Sequence, residues 1–163
     1  MLILVKVYEV SEDYVDYLVP HAPHLFRNKK QGQQNSRKYI GVVLHIEEID
    51  YFAPLSSFKD KHKRMNETLD FIKIKNYSVI NLNNMFPIPN GCYSYVDISK
   101  EYNPKYKSLL LAEYRYIKSI QEKIRKNAAT LYKLKTKGEN SALTKRCNDF
   151  LLLESLCKKY SFK

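Results

Sequence analysis

RKYIGVVLHIEEIDYFAPLSS, residues 37–57, is the stretch on which the fold turns. YIGVVLHI and YFAPL are β-branched and aromatic runs on either side of a turn around Glu47–Asp50, so the segment reads as a β-hairpin, although GVV and its neighbours leave little clean alternation. Arg37 and Lys38 lead into the first strand, and Ser56 and Ser57 lead out of the second. Two cations at one end of a hairpin can face the same strand ends as two hydroxyls, although such charges also serve simply to flank a strand.

Downstream, LDFIKIK (69–75) alternates between apolar and polar side chains and predicts a strand. Residues 78–82 and 92–98 predict two more, separated by the proline-flanked NNMFPIPNG. Upstream, LILVKVY (2–8) predicts a strand, and Ser11 with Glu12 and Asp13 caps a short helix carrying Tyr14, Tyr17 and Leu18. Pro20 and Pro23 end that helix, and residues 21–36 have the polar, aperiodic composition of a long exposed loop. Five or six short strands joined by tight turns make a small, strongly curved antiparallel sheet or barrel.

The last third changes period. Asn103 and Pro104 are a cap and a first-turn proline. Apolar or Tyr residues then recur every three or four positions from 106 to 134, which predicts one long amphipathic helix, interrupted if anywhere near Asn127, and closed by Gly138. A final helix is expected over about 141–160, with Leu143, Cys147, Phe150, Leu151, Leu153 and Leu156 on or near its buried side. The class is α+β with long C-terminal helices, and 163 residues suit one domain spanning 1–163.

Charge narrows the partner. The net charge is +11, and it is uneven. Residues 21–40 hold Arg27, Lys29, Lys30, Arg37 and Lys38 and no acid, and residues 100–138 are again strongly basic. Such segments suit a polyanion such as RNA, or an acidic membrane face, although a general preference for Lys is the plainer cause. With 14 Tyr and 7 Phe, aromatic faces for stacking are plentiful, among them Tyr102, Tyr106, Tyr114, Tyr116 and Tyr132 near the basic helix, where packing is the commoner use. MLILVKVYEV is broken too soon by Lys6 and Glu9 to be a signal peptide, and nothing approaches a membrane span, so no membrane partner is expected. Cys92, Cys147 and Cys157 are scattered without any CxxC, which fits a reduced, cytoplasmic setting. His21 and His24 lack neighbouring ligands, and there is no phosphate loop, nucleophile elbow or acidic cluster, so neither metal nor cofactor is expected.

Chemistry concentrates in YFAPLSSFKDKHKRMN (51–66). Ser56, Ser57, Lys59, Lys61, His62, Lys63 and Arg64 follow a strand end. Hydroxyls and cations there can grip a phosphate, and an imidazole can move a proton. RNA carries its own nucleophile, the 2′-OH, so cleavage needs neither a metal nor a covalent intermediate. A solvated polar turn is the plainer reading of the same residues.

With these segments in order, the chain resembles the ToxN/AbiQ family of type III toxin–antitoxin endoribonucleases. The likeness is carried by YEVSEDYVDYL (8–18), RKYIGVVL (37–44), YFAPLSS (51–57) followed by Lys59 and His62, INLNNMFPIP (80–89), NPKYKSLLL (103–111) and CNDFLLLE (147–154). It implies a compact curved sheet related to the Kid/MazF toxin barrel, and metal-independent, sequence-specific cleavage leaving a 2′,3′-cyclic phosphate and a 5′-hydroxyl. It implies an antitoxin RNA of pseudoknot repeats, cut from its precursor by the toxin and retained in a closed protein–RNA ring, with cellular and phage RNA as substrate in abortive infection. By the same resemblance Ser57 matches the active-site serine, Ser56 the neighbouring hydroxyl, Lys59 the basic residue two further on, His62 a histidine of some members, and Arg37 a basic position before the hairpin. Arg27, Lys29, Lys30, Gln33, Lys38, Lys61, Lys63 and Arg64 are then the expected RNA-binding residues. Phe58 departs from the family, and Gln33 stands where some members have a stacking aromatic. A non-catalytic RNA-binding protein and a ribonuclease toxin held by a protein antitoxin are the alternatives.

Overall fold

In a computed structural model, residues 4–25 and 36–161 are described. The strands are β1 (Lys6–Val10), β2 (Tyr39–Ile46), β3 (Ile49–Ser57), β4 (Phe71–Ile74), β5 (Ser78–Asn81), β6 (Phe86–Pro87) and β7 (Tyr93–Tyr95). The helices are α1 (Glu12–Leu18), α2 (Asp60–Arg64), α3 (Pro104–Ser119), α4 (Gln121–Thr136), α5 (Ala142–Lys145) and α6 (Phe150–Ser161). The sheet is antiparallel, ordered β4-β5-β3-β2-β1-β7, with β6 also paired to β3. It is curved but open, so of the two expected forms it is the sheet and not the closed barrel.

The central hairpin forms as expected, with its turn at Glu47 and Glu48. Glu47 takes the left-handed conformation, φ 55°. Its weak alternation has a physical cause: both faces of β2 and β3 are covered, so polar positions are scarce on either side. One face carries Ile40, Tyr51, Ala53 and Leu55 against Ile117, Ile124, Ala128 and Leu131 of α3 and α4. The other carries Tyr39 and Phe52 against Tyr14 and Leu18 of α1 and Leu153 and Leu156 of α6. Each fully buried aliphatic side chain contributes roughly 1.5–3 kcal/mol, so these two layers dominate stability. Between Gly41 and Leu44 the register with β3 slips, which bends the hairpin. Gly41 is required there, because a Cβ would land on the Phe52 ring.

Other boundaries moved. The first strand begins at Lys6, because the Val5 N–H is taken by the Gln121 side chain and not by a neighbouring strand. Ser11 does cap α1, accepting from the Tyr14 N–H. The proline-flanked segment holds a strand of its own, β6, paired to Tyr51 and Phe52. The long helix breaks at Ile120, not near Asn127. Just before the break, the Ser119 hydroxyl bonds back to the Tyr116 carbonyl at 2.6 Å, a competitor to the helical ladder.

The final helix is likewise two. α5 is capped by Ser141, after which Asn148, buried, donates from its backbone to Asn83 and from its side chain to Met85. α6 restarts at Phe150, and the new phase leaves Leu151 55% exposed, contrary to expectation. Asp70 at the start of β4 receives two hydrogen bonds from Arg146, at 2.6 and 2.8 Å, tying the sheet edge to the α5–α6 junction.

Candidate active site

Strand alternation determines what the ends of β2, β3 and β5 present. β5 pairs with β3 so that Val79 lies opposite Ser56, and Ser78 opposite Ser57. The Leu55 N–H bonds to the Lys38 carbonyl, extending the β2 register by one residue. Ser56 and Ser57 therefore point to opposite faces, and the two hydroxyls flank the strand end instead of lying side by side.

On one face, Arg37 Nη1 donates to the Ser56 hydroxyl at 3.0 Å and to the Leu55 carbonyl at 3.3 Å. Asn81 Nδ2 approaches the same hydroxyl at 3.4 Å. Burial pulls the Arg37 pKa below its ordinary value, an effect partly offset by Tyr39, but a guanidinium stays protonated. The group is a fixed cation held beside a hydroxyl, suited to a phosphoryl oxygen.

On the other face, Ser57 and Ser78 open into a pocket of about 200 Å³ closed by α3, with Lys38, Tyr106 and Glu113 in its wall. Lys38 lies 5.7 Å from the Tyr106 ring centre and 3.7 Å from a Glu9 carboxylate oxygen. Glu113 is only 6% exposed. Burial raises its pKa to about 7, and the nearby Ser78 hydroxyl pulls in the opposite direction.

Beyond Ser57 the chain turns into α2. Lys59 is exposed at its N-terminus. His62 is 7% exposed, and its ring packs between Phe58 and Phe71. Its Nδ1 accepts the Lys59 backbone N–H at 2.8 Å, which requires that nitrogen to be unprotonated. Burial, then Lys61, Lys59 and Lys73, lower its pKa. This geometry makes His62 the cap of α2 and a positioning residue for Lys59. Lys61, Lys63 and Arg64 are exposed on α2, and Lys63 pairs with Asp60 at 3.4 Å.

The structure thus gathers Arg37, Lys38, Ser56, Ser57 and Lys59 around one strand end. Arg27, Lys29, Lys30 and Gln33 lie outside the described residues. Sequence reasoning missed Asn81, Ser78 and Glu113. Only Glu113 left a signal: it is an acid on the 106, 110, 113, 117 stripe of α3, whose other members are apolar or Tyr. Among the described residues no three His, Cys, Asp or Glu side chains cluster as metal ligands would, and no helix is long and apolar enough to cross a membrane.

The family model described as toxin ToxN of the type III toxin–antitoxin system matches residues 6–158. The chain belongs to the ToxN family. It is similar to the endoribonuclease ToxN of Bacillus thuringiensis subsp. kurstaki, with 30% identity covering 95% of this chain and 84% of that protein. A solved structure from work on selective toxin inhibition by a non-coding RNA pseudoknot in type III systems superposes with TM-score 0.84 and 27% identity, covering 99% of this chain and 100% of the other. The structure of AbiQ, a lactococcal anti-phage endoribonuclease of a type III system, does so with TM-score 0.84 and 25% identity, covering 98% and 99%. The α+β architecture and the family that the sequence motifs pointed to are both those of these ToxN/AbiQ relatives.

Proposed function

We propose that this chain is the toxin of a type III toxin–antitoxin system, an endoribonuclease that cleaves RNA at specific sequences without a metal. The observation that carries the mechanism is the strand end where Arg37 holds Ser56 while Ser57 stands on the opposite face beside Lys38, with Lys59 following. The substrate's 2′-oxygen attacks the adjacent phosphorus, its proton leaves to a base, and the P–O5′ bond breaks as the 5′-oxygen is protonated. The products are a 2′,3′-cyclic phosphate and a 5′-hydroxyl. Arg37, Lys59 and the serine hydroxyls stabilise charge on the phosphoryl oxygens, the effect that dominates such reactions.

The same groove processes and then retains a pseudoknot antitoxin RNA, in a closed protein–RNA ring, because groups that hold the phosphorane also hold the product phosphate. Arg27, Lys29, Lys30, Gln33, Lys61, Lys63 and Arg64 contribute to the RNA surface. Cellular and phage RNA are the substrates, cut in the cytoplasm during abortive infection.

The test is incubation of the purified protein with RNA in EDTA. Cleavage to cyclic phosphate ends is expected, and a single 2′-deoxy nucleotide at the scissile position should block it. RNA that is bound and left intact would make the chain an RNA-binding module and overturn the reading.

A further inference from the structure

The pocket on the Ser57 face holds an arrangement that phosphate chemistry does not use. Its inner wall is a carboxyl, Glu113, and the buried hydroxyl of Ser78, which lies close enough to act on that carboxyl. A phosphate would be repelled by the one as soon as it ionised, so the pocket suits an uncharged group carried beside the phosphate. Its volume of about 200 Å³ is enough for a single aromatic ring, since a cavity of roughly 150 Å³ takes benzene. Tyr106 supplies an aromatic wall, with the Lys38 ammonium 5.7 Å from its ring centre.

Resting on the ribonuclease reading, we propose that this pocket is a nucleobase subsite next to the scissile phosphate, in which Glu113 reads a base edge that carries a hydrogen-bond donor beside an acceptor. A neutral carboxylic acid presents a carbonyl acceptor and a hydroxyl donor side by side. That is the pattern by which an amide side chain pairs with adenine through two hydrogen bonds. Every base carries such a pair somewhere on its edge, so the base accepted is the one whose donor and acceptor reach Glu113 within this pocket. A base that fails to reach it leaves a buried polar group unpaired, which costs discrimination.

Burial favours the neutral form of Glu113 and the Ser78 hydroxyl opposes it, among groups that reach Glu113 from several elements. Tyr106 lies on its own helix, Tyr77 and Ser78 come from the β4–β5 hairpin, Ser57 from β3, and Lys38 from the segment before β2. Burial is the main influence on it, and it titrates near neutrality. Recognition by the neutral acid therefore weakens as pH rises through about 7, when the donor proton is lost.

The experiment measures KM and kcat on a set of short RNAs that vary one base at a time around the cleavage site, from pH 6 to 8.5, for the wild type, Glu113→Gln and Glu113→Ala. The wild type should show KM rising about tenfold across this range for its preferred base. Glu113→Gln, which keeps a donor and an acceptor at every pH, should retain kcat and flatten the KM profile. Glu113→Ala should raise KM about tenfold and lose the base preference at one position. Should Glu113→Gln instead lose kcat a hundredfold at every pH, the carboxylate is the proton acceptor and the base-reading role is wrong. Unchanged KM and base preference in Glu113→Ala, with a lowered melting temperature, would mean a structural role and would also overturn it. A wild type that cuts no RNA would sink the ribonuclease reading itself, a result separable from any of these.

Discussion

Arg37 and Ser56 are joined by a 3.0 Å hydrogen bond across the β2–β3 hairpin, while the next pair along, Lys38 and Ser57, faces the opposite side. One register therefore splits four polar residues into a guanidinium–hydroxyl pair and an ammonium–hydroxyl pocket. A phosphate at the strand end would meet the first, with the Ser57 hydroxyl at the edge of the second.

Arg37→Ala should lower the rate of RNA cleavage by about 10²–10³, the usual cost of deleting a donor aimed at developing charge. Arg37→Lys should restore little of it, because an ammonium cannot serve Leu55, Ser56 and a phosphoryl oxygen from one planar fork. Single-turnover kinetics decide this, and full rescue by lysine would reduce Arg37 to a point charge.

Ser57→Ala should leave the melting temperature nearly unchanged, since one exposed oxygen is removed. Cleavage should nonetheless fall at least a hundredfold, on the order of 3 kcal/mol. Lys59→Ala should weaken both cleavage and retention of cut repeat RNA, whereas Ser57→Ala mainly stops cleavage. Equal loss of RNA retention in the two variants would end this division of labour.

His62 links pH to the site. Its folded pKa lies below the ordinary 6.5, so the folded state binds its proton less readily than the unfolded chain does. Its contribution to stability is complete above about pH 6.5 and fades as pH falls through the lower folded value. Protonation removes the acceptor of the Lys59 N–H. Activity should drop reversibly on that acid limb. His62→Ala should cost roughly 1 kcal/mol for the lost cap and should erase the limb, as thermal melts and pH–rate profiles would show.

Asp70→Asn should destabilise the fold by about 1.5–3 kcal/mol, because two charge-assisted hydrogen bonds from Arg146 are weakened at a buried site. Burial alone would raise the Asp70 pKa, but hydrogen bonds from Arg146 and Thr68 outweigh it and hold the pKa below 3.8. This stabilisation is present above the ordinary carboxylate range and is lost as pH falls through the depressed folded value. Urea unfolding at neutral and acid pH would reveal it: the mutational difference should shrink in acid.

RNA affinity should fall steeply with salt, as each neutralised phosphate contributes counterion release. Titration of a non-cleaving variant between low and physiological ionic strength would settle the point, and a flat response would remove the electrostatic contribution of Arg37, Lys38 and the α2 cations.

Local sequence chemistry determined a good deal. The Ser11 cap, the central hairpin and the Asn103–Pro104 helix start were legible, because caps, turns and strand runs are decided by neighbours in the chain. Ser56 and Ser57, expected to follow a strand ending at Leu55, are instead its last two residues, because β5 pairs with them. What needed the tertiary structure came from residues far apart. Ile120 breaks a helix that periodicity alone would continue, and Asn148 leaves the helix to serve the carbonyl of Met85, 63 residues away. His62 looked like a proton carrier by its type, and only its burial between Phe58 and Phe71 makes it a cap. Glu113 looked like one more charge on a basic helix. The register of β3 with β5 and the packing of α3 place it beside Ser57 and Ser78, where the lack of water raises its proton affinity. Neighbouring residues write the elements, but faces, registers and desolvation depend on which surfaces meet, and those decided the site.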